Sequence, residues 1–258
     1  MIVSALQNDI FWCDREKNSE SFGKLLSQAP ASDLYVLPEM FSTGFATEPQ
    51  GVAEEEPSPS LKWMQERASE LGGAVAGSVS LKAEDGKYRN RFYFVKPDGS
   101  YQYYDKRHLF TYGGEHLRYT SGTGRTVVEY KGVRFLLTVC YDLRFPMWCR
   151  NRDEYDVMLC VASWPRPRAE AWKTLLKARA IENQCYVVAV NRVGSDPYCV
   201  YQGDTMIVDP YGVPCASCGA GKVESATALL DMDALRAFRE KFPVLKDTVY
   251  YKDWNENF

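Results

Sequence analysis

LLTVCYDLRFP, residues 136–146, places a cysteine and a cluster of charged side chains directly after an apolar run. Leu136, Leu137 and Val139, bounded by polar residues, are typical of a short buried strand. Cys140 would then lie where the strand ends and the chain turns. Because ligand sites of α/β proteins lie at that edge of the sheet, Cys140 is a candidate nucleophile. The alternative is packing, since a free cysteine usually behaves as a small apolar side chain.

The composition of the 258-residue chain is that of an ordinary soluble globular protein, with 45% hydrophobic and 25% charged residues. A net charge of −3 gives no reason to expect nucleic acid or an anionic membrane as a partner. We find neither a signal peptide nor an apolar run near the roughly 20 residues of a membrane helix. We therefore expect a cytoplasmic protein whose eight cysteines are reduced. With only two histidines and one CxxC pair, the chain is not expected to bind a metal. It also lacks a nucleotide-binding glycine motif, so no organic cofactor is expected.

Strand and helix patterns alternate without a linker or a change of composition, which favours a single α/β domain over residues 1–258. Its core should cover about residues 2–230, followed by an aromatic and charged tail at about 242–258. Some strands come as hairpins, so mixed sheets are expected. Helices are predicted at residues 14–29, 59–71, 147–153, 168–183 and 232–240. Strands are predicted at residues 2–7, 34–37, 74–81, 88–95, 101–104, 126–130, 133–139, 157–162, 186–191, 205–208 and 226–230.

Three of the predicted strands are followed closely by a reactive or charged residue: Glu39, Lys106 and Cys140. In a layered α/β fold these strand ends converge on one edge. A buried carboxylate can serve as a general base. A nearby ammonium lowers a thiol pKa and stabilises an oxyanion. Together the three groups would give an activated nucleophile, a proton acceptor and an electrophilic partner.

The motifs around these residues, LPEMFSTGF (37–45), YDKRHLF (104–110) and CYDLRFP (140–146), resemble the three signatures of the nitrilase superfamily, the carbon–nitrogen hydrolases. The similarity runs from about residue 2 to 230. It implies an αββα sandwich in which Glu39 is the general base, Lys106 the transition-state cation and Cys140 the nucleophile. Glu115, in GGEH, matches by position a second glutamate that many members carry. It would orient Lys106 or assist proton transfer.

The resemblance also implies a reaction: hydrolysis of an amide through a cysteine thioester, without a metal or organic cofactor. Lys106 and the backbone N–H of Tyr141 would hold the oxyanion. Within the superfamily, the DKRHLF and CYDLRFP versions in a short chain look most like the ω-amidase branch. Those enzymes deaminate ω-amides of dicarboxylates, such as α-ketoglutaramate and α-ketosuccinamate. A homodimer or higher homo-oligomer is implied as well, through residues 144–150 and 169–180, with the tail reaching a partner.

Such a substrate carries a carboxylate at the end distal to the amide, so the site needs a cation there. Arg144, four residues after the nucleophile, is the predicted partner because a guanidinium binds a carboxylate bidentately. The alternative is a structural ion pair with Asp142 or Glu39. Aromatic side chains are predicted to close a small pocket: Phe41, Phe45, Tyr112 and Trp164.

Other roles remain open for the same residues. Glu39 and Lys106 could be solvated surface charges, as most glutamates and lysines are. Cys140 could instead be served by His108, as in thiol proteases. An N-carbamoyl or other aliphatic amidase would use the same triad. A catalytically silent relative, acting as a binding subunit, is the alternative outside enzymes.

Overall fold

The computed structural model describes residues 1–247, which contain fifteen strands and five α-helices. The helices are α1 (Arg15–Gln28), α2 (Pro59–Leu71), α3 (Pro146–Cys149), α4 (Ala169–Asn183) and α5 (Met232–Lys241). The strands are β1 (Ile2–Gln7), β2 (Leu34–Val36), β3 (Glu54–Glu55), β4 (Ala74–Lys82), β5 (Tyr88–Val95), β6 (Tyr101–Asp105), β7 (Val127–Tyr130), β8 (Val133–Val139), β9 (Val157–Ala162), β10 (Tyr186–Asn191), β11 (Val193–Ser195), β12 (Val200–Gln202), β13 (Met206–Val208), β14 (Pro214–Ser217) and β15 (Glu224–Leu229).

Two mixed sheets form the body of the protein. The first has the strand order β15-β1-β2-β4-β5-β6, with β3 beside β4, and the second has the order β14-β13-β10-β9-β8-β7. In each sheet a parallel centre, β1-β2-β4 or β8-β9-β10, is flanked by antiparallel strands. The hairpin of β11 and β12 stands apart from both. The prediction of an α/β protein with mixed sheets is confirmed.

The two sheets pack face to face, with helices on both outer faces. Alternation along β8 shows the arrangement: Phe135 and Leu137 pack between the sheets, whereas Leu136 joins the core under α4. Helices α1 and α2 cover the first sheet. Because each central strand is buried on both faces, most of its side chains are apolar, as the sequence of β8 indicates. The layers are α, β, β and α, as the resemblance implied.

Helix ends follow local signals. Ser58 caps α2 by accepting a hydrogen bond from the backbone N–H of Leu61, and Pro59 opens its first turn. Gly72 ends the helix in the left-handed conformation, with φ of 63°. Asp14 caps α1 by accepting from the backbone N–H of Lys17. These ends agree with the sequence to within a residue.

The prediction of a helix at residues 147–153 was wrong in length, because α3 ends at Cys149. Asn151 turns the chain there: its side-chain oxygen accepts from the backbone N–H groups of Glu154 and Tyr155. A side chain that replaces helical hydrogen bonds in this way favours a turn. The short strands β3, β11, β12 and β14 were not predicted. The tail prediction lies largely outside the described residues, since α5 and a 3₁₀ turn at Val244–Asp247 come last within them.

No helix within residues 1–247 combines the length and apolar character needed to cross a membrane.

Candidate active site

Glu39, Lys106 and Cys140 meet at one end of the paired sheets, as their positions after strands predicted. Glu39 lies three residues beyond β2, Lys106 follows β6 directly and Cys140 follows β8 directly. The Lys106 Nζ donates to Glu39 Oε1 over 2.9 Å, and both side chains are fully buried. The same two charges act on the pKa of Cys140 from opposite directions. The alternative of solvated surface charges for Glu39 and Lys106 is therefore excluded.

Lys106 is held between two carboxylates. Its Nζ lies 2.9 Å from Glu115 Oε2 and 3.2 Å from Glu115 Oε1, besides the contact with Glu39. Burial acts to lower the pKa of Lys106, but Glu115 and Glu39 outweigh it and hold that pKa well above its usual value. Lys106 thus stays charged at neutral pH, as an oxyanion partner must.

Both carboxylates share a further donor, Asn90 of β5. Its Nδ2 donates to Glu39 Oε1 over 2.7 Å and to Glu115 Oε1 over 3.2 Å. The second oxygen of Glu39 accepts from the backbone N–H of Ser163 over 2.8 Å. Burial and the neighbouring Glu39 carboxylate raise the pKa of Glu115. Lys106 acts to lower it, and the net shift is upward. The result is a dense buried cluster of two carboxylates around one ammonium.

Cys140 adopts a left-handed backbone conformation, with φ of 46°, which is uncommon for a residue with a side chain. Such strain is typical of functional turns, where the surrounding structure enforces it. Burial and the Glu39 carboxylate raise the pKa of the Cys140 thiol well above its usual value, although Lys106 acts to lower it. The sequence prediction weighed only Lys106. The thiol is therefore protonated at neutral pH and needs a base to react.

Asp142 fixes the turn that carries Cys140. It is fully buried and accepts from the Val139 backbone N–H over 3.0 Å and from the Tyr104 hydroxyl over 2.8 Å. It also contacts His108 twice, at the backbone N–H (3.0 Å) and at ring Nδ1 (2.8 Å). Within residues 1–247, His108 forms no hydrogen bond with Cys140, so the structure gives no support to a thiol-protease pair.

The thiol opens into a cavity of about 440 Å³. Four of the predicted binding residues line it: Phe45, Tyr141, Arg144 and Trp164. The Arg144 guanidinium lies 4.9 Å from the centre of the Trp164 ring, and no carboxylate within residues 1–247 forms an ion pair with it. The structural pair with Asp142 or Glu39 is thus not formed. The Tyr141 backbone N–H lies in the first turn of the 3₁₀ helix Cys140–Arg144, where N–H groups have no partner within the helix and can face an oxyanion.

One aromatic prediction was wrong. Phe41 does not line the cavity; it is fully buried among the helices of the first sheet, 5.7 Å from the ring of Phe22 and 5.6 Å from that of Trp63. The reason is the short turn after Glu39, which sends Phe41 outward into the helical layer. Tyr112 does line the cavity, at its exposed mouth.

Three contributors were missed from sequence: Asn90, the backbone of Ser163, and Arg168, which also lines the cavity. A signal existed for Asn90, because it shares a strand face with Phe92 and Phe94, which pack between the sheets. A polar residue in that apolar register indicates a buried polar partner. No such signal marks a backbone N–H. No group of three or more His, Cys, Asp or Glu side chains within the described residues is arranged to hold a metal ion.

The chain belongs to the carbon–nitrogen hydrolase family, whose pattern it matches over residues 2–240. The ω-amidase YafV of Escherichia coli (strain K12) is 44% identical over 255 residues, which cover 98% of both chains. The 2-oxoglutaramate amidase of Bacillus subtilis (strain 168) is 34% identical over 95% of this chain and 96% of its own. The predicted family and enzyme class are confirmed.

Solved structures agree. XC1258 from Xanthomonas campestris, a CN-hydrolase superfamily protein with an arsenic adduct in its active site, superposes with a TM-score of 0.94 at 44% identity, covering 97% of each chain. Nit3 from Saccharomyces cerevisiae, of branch 10 of the nitrilase superfamily, has a TM-score of 0.85 at 24% identity, covering 94% of each chain. Both structures share the fold of this chain, and XC1258 is also similar to it in sequence.

Proposed function

We propose that the protein is an ω-amidase that hydrolyses the terminal amide of a small dicarboxylate, with an α-keto acid amide such as α-ketoglutaramate as substrate. One observation carries the proposal: a buried cluster of Glu39, Lys106 and Cys140 opens into a cavity that also holds the guanidinium of Arg144. The names of the relatives in Escherichia coli and Bacillus subtilis support the same chemistry.

Glu39 acts as the general base. Because burial and Glu39 keep the Cys140 thiol protonated, proton transfer to Glu39 accompanies attack of the sulfur on the amide carbon. The C–S bond forms as the carbonyl π bond opens, and the negative charge moves to the carbonyl oxygen. Lys106, whose side chain is fully buried, and the Tyr141 N–H stabilise that charge.

The intermediate then collapses. The C–N bond breaks, the nitrogen takes the proton from Glu39, and ammonia leaves a thioester on Cys140. A water molecule gives a proton to Glu39 and attacks the thioester carbon. Collapse of this second intermediate releases the carboxylic acid, while the proton returns from Glu39 to the sulfur. Glu115 holds Lys106 in place through both halves of the reaction.

Arg144 binds the distal carboxylate. Its guanidinium carbon lies 4.9 Å from the centre of the Trp164 ring, and its N–H groups form no ion pair within residues 1–247, so they are available for a bidentate contact. Arg144→Met should therefore reduce kcat/KM for a carboxylate-bearing amide far more than for a neutral aliphatic amide. Equal losses on both would remove Arg144 from substrate binding.

The direct test is ammonia release from α-ketoglutaramate, compared with glutamine, a simple aliphatic amide and an N-carbamoyl amino acid. We expect a strong preference for the keto-acid amide and no turnover by Cys140→Ala, whose fold is checked by circular dichroism. Release of carbon dioxide together with ammonia from the N-carbamoyl compound would instead favour a carbamoylase. Inactivity on all four, with Cys140 unreactive to iodoacetamide, would favour a binding subunit.

We also propose that the chain acts in the cytoplasm as one hydrolase domain in a homodimer or higher homo-oligomer. All eight cysteines are free thiols, which suits a reducing compartment. The proposed contact surface, residues 144–150 and 169–180, includes Met147, a large apolar side chain that is 52% exposed. Light scattering after size exclusion would give the mass, and Met147→Lys should shift it towards the monomer. An unchanged mass would exclude this surface.

A further inference from the structure

A second guanidinium shares the cavity with Arg144. Arg168 ends the 3₁₀ turn Arg166–Arg168 after β9 and lines the same cavity as Cys140. Its guanidinium carbon lies 5.3 Å from the centre of the Phe110 ring. Like Arg144, it has no ion-pair partner in residues 1–247. Two guanidinium groups therefore line the cavity, although the proposed reaction needs only one of them to bind the distal carboxylate of the substrate.

The acidic groups in the cavity wall are already engaged. Glu48 forms an ion pair with Arg118, over 2.9 Å. Asp196 accepts hydrogen bonds from the backbone of Tyr198 and Cys199, each 2.8 Å away, and from a tyrosine hydroxyl of β12. Because neither acid pairs with Arg144 or Arg168, the two guanidinium groups remain available to a ligand rich in acceptor oxygens.

One tryptophan, Trp164, contacts both arginines. The Trp164 ring supports Arg144, and its Nε1 donates to the backbone oxygen of Arg168 over 2.8 Å. Phe110, under the Arg168 guanidinium, also contacts the ring of Tyr141 at 5.1 Å, next to Cys140. Trp164 and Phe110 thus link Arg144, the backbone and guanidinium of Arg168, and the residue after the nucleophile, as a preorganised binding site requires.

We propose that Arg168 determines specificity for an α-keto acid by donating to the keto oxygen while Arg144 binds the carboxylate. This inference rests on the proposed function. An α-keto carboxylate presents three acceptor oxygens, one more than a single bidentate guanidinium contact satisfies. The corresponding α-amino acid presents an ammonium at the same place, which has donors only and repels Arg168. Arg168 therefore excludes glutamine and admits its keto analogue.

Arg168→Met is the test, with α-ketoglutaramate, glutaramate and glutamine as substrates. Glutaramate keeps the amide and the carboxylate but lacks the keto oxygen. Loss of a charged hydrogen bond should lower kcat/KM for α-ketoglutaramate by about tenfold to a hundredfold. The value for glutaramate should stay within about threefold, since Arg144 still binds its carboxylate. The ratio of glutamine to α-ketoglutaramate turnover should rise.

Arg166→Met is the matched control, because Arg166 belongs to the same 3₁₀ turn but is exposed and does not line the cavity. It should leave all three substrates unchanged. Equal losses of Arg168→Met on α-ketoglutaramate and glutaramate would overturn the keto contact while leaving the ω-amidase function intact. Wild-type protein that hydrolyses other amides but not α-ketoglutaramate would overturn the function itself, and the keto contact with it.

Discussion

Glu115→Gln tests how Lys106 is held, because glutamine has the shape of glutamate but only one acceptor oxygen. Glu115 accepts four hydrogen bonds: two from Lys106, one from Asn90 and one from the backbone N–H of Phe110. If the glutamine oxygen takes the place of Oε2, its NH₂ faces the donors of Lys106 and Asn90. Asn90 could turn its unpartnered Oδ1 towards that NH₂, but its Nδ2 would then leave Glu39.

The magnitude follows from these contacts. A hydrogen bond to a charged group contributes about 1.5–3 kcal/mol, and at least one is lost whichever way the glutamine turns. Removing one partner of a buried ion pair costs about 3–5 kcal/mol, which is an upper limit here because Lys106 keeps Glu39. We expect the free energy of unfolding to fall by about 2–4 kcal/mol. Turnover should fall about tenfold to a hundredfold, less than for deletion of an oxyanion donor, because Lys106 remains.

Urea unfolding and ammonia release measure the two effects separately. Glu55→Gln is the control: Glu55 pairs with Lys82 at the surface, where its side chain is 70% exposed, so its loss should cost about 0–1 kcal/mol. If Glu115→Gln were as stable as the wild type and retained its turnover, Glu115 would have no part in holding Lys106, and its buried contacts would be incidental to the reaction.

Three further substitutions test the site and its frame. Glu39→Gln should abolish turnover. It should also shift the pH profile of Cys140 alkylation to lower pH, because the carboxylate charge that raises the thiol pKa is removed. An unshifted profile would contradict this. Asp142→Asn should lower the free energy of unfolding in urea by about 1.5–3 kcal/mol and reduce turnover, since a side-chain amide cannot accept from all four donors. A variant as stable as the wild type would show that other contacts hold the turn. Asp156→Asn should cost about 2 kcal/mol at pH 7, because Arg134 hydrogen bonds outweigh burial and lower the Asp156 pKa below 3.8. That difference should vanish as pH falls through the folded-state pKa, and a pH-independent difference would refute the assignment.

The fold was largely predictable because the central strands are buried on both sides. Apolar runs such as Val157–Ala162 of β9 can be recognised in the sequence, and Ser58 and Gly72 mark the two ends of α2. The strands that were missed, β3, β11, β12 and β14, have two to four residues and are partly exposed, so they leave neither a buried apolar run nor a periodic pattern. The end of α3 depends on hydrogen bonds of Asn151 to a loop, which periodicity does not show.

The candidate site was predictable where residue type and position carry the chemistry. Glu39, Lys106 and Cys140 each follow a strand, and strand ends converge. Phe41 was misplaced because one residue decides whether a side chain in a turn faces the cavity or the helical layer. Asn90 carried a local signal, its place in the apolar register of Phe92 and Phe94, whereas Arg168 reaches the cavity through tertiary packing that no local pattern identifies.

The hydrogen-bond geometry also separates the two carboxylates, which the sequence could not do. A carboxylate oxygen has two acceptor positions. Those of Glu115 are all filled by donors from Lys106, Asn90 and Phe110. Glu39 accepts from Asn90 and Lys106 on one oxygen and only from the Ser163 N–H on the other, so one position remains within the described part of the chain. Of the two carboxylates, only Glu39 can therefore receive the thiol proton without first breaking a hydrogen bond, which supports the proposal that Glu39 transfers the proton and that Glu115 positions Lys106.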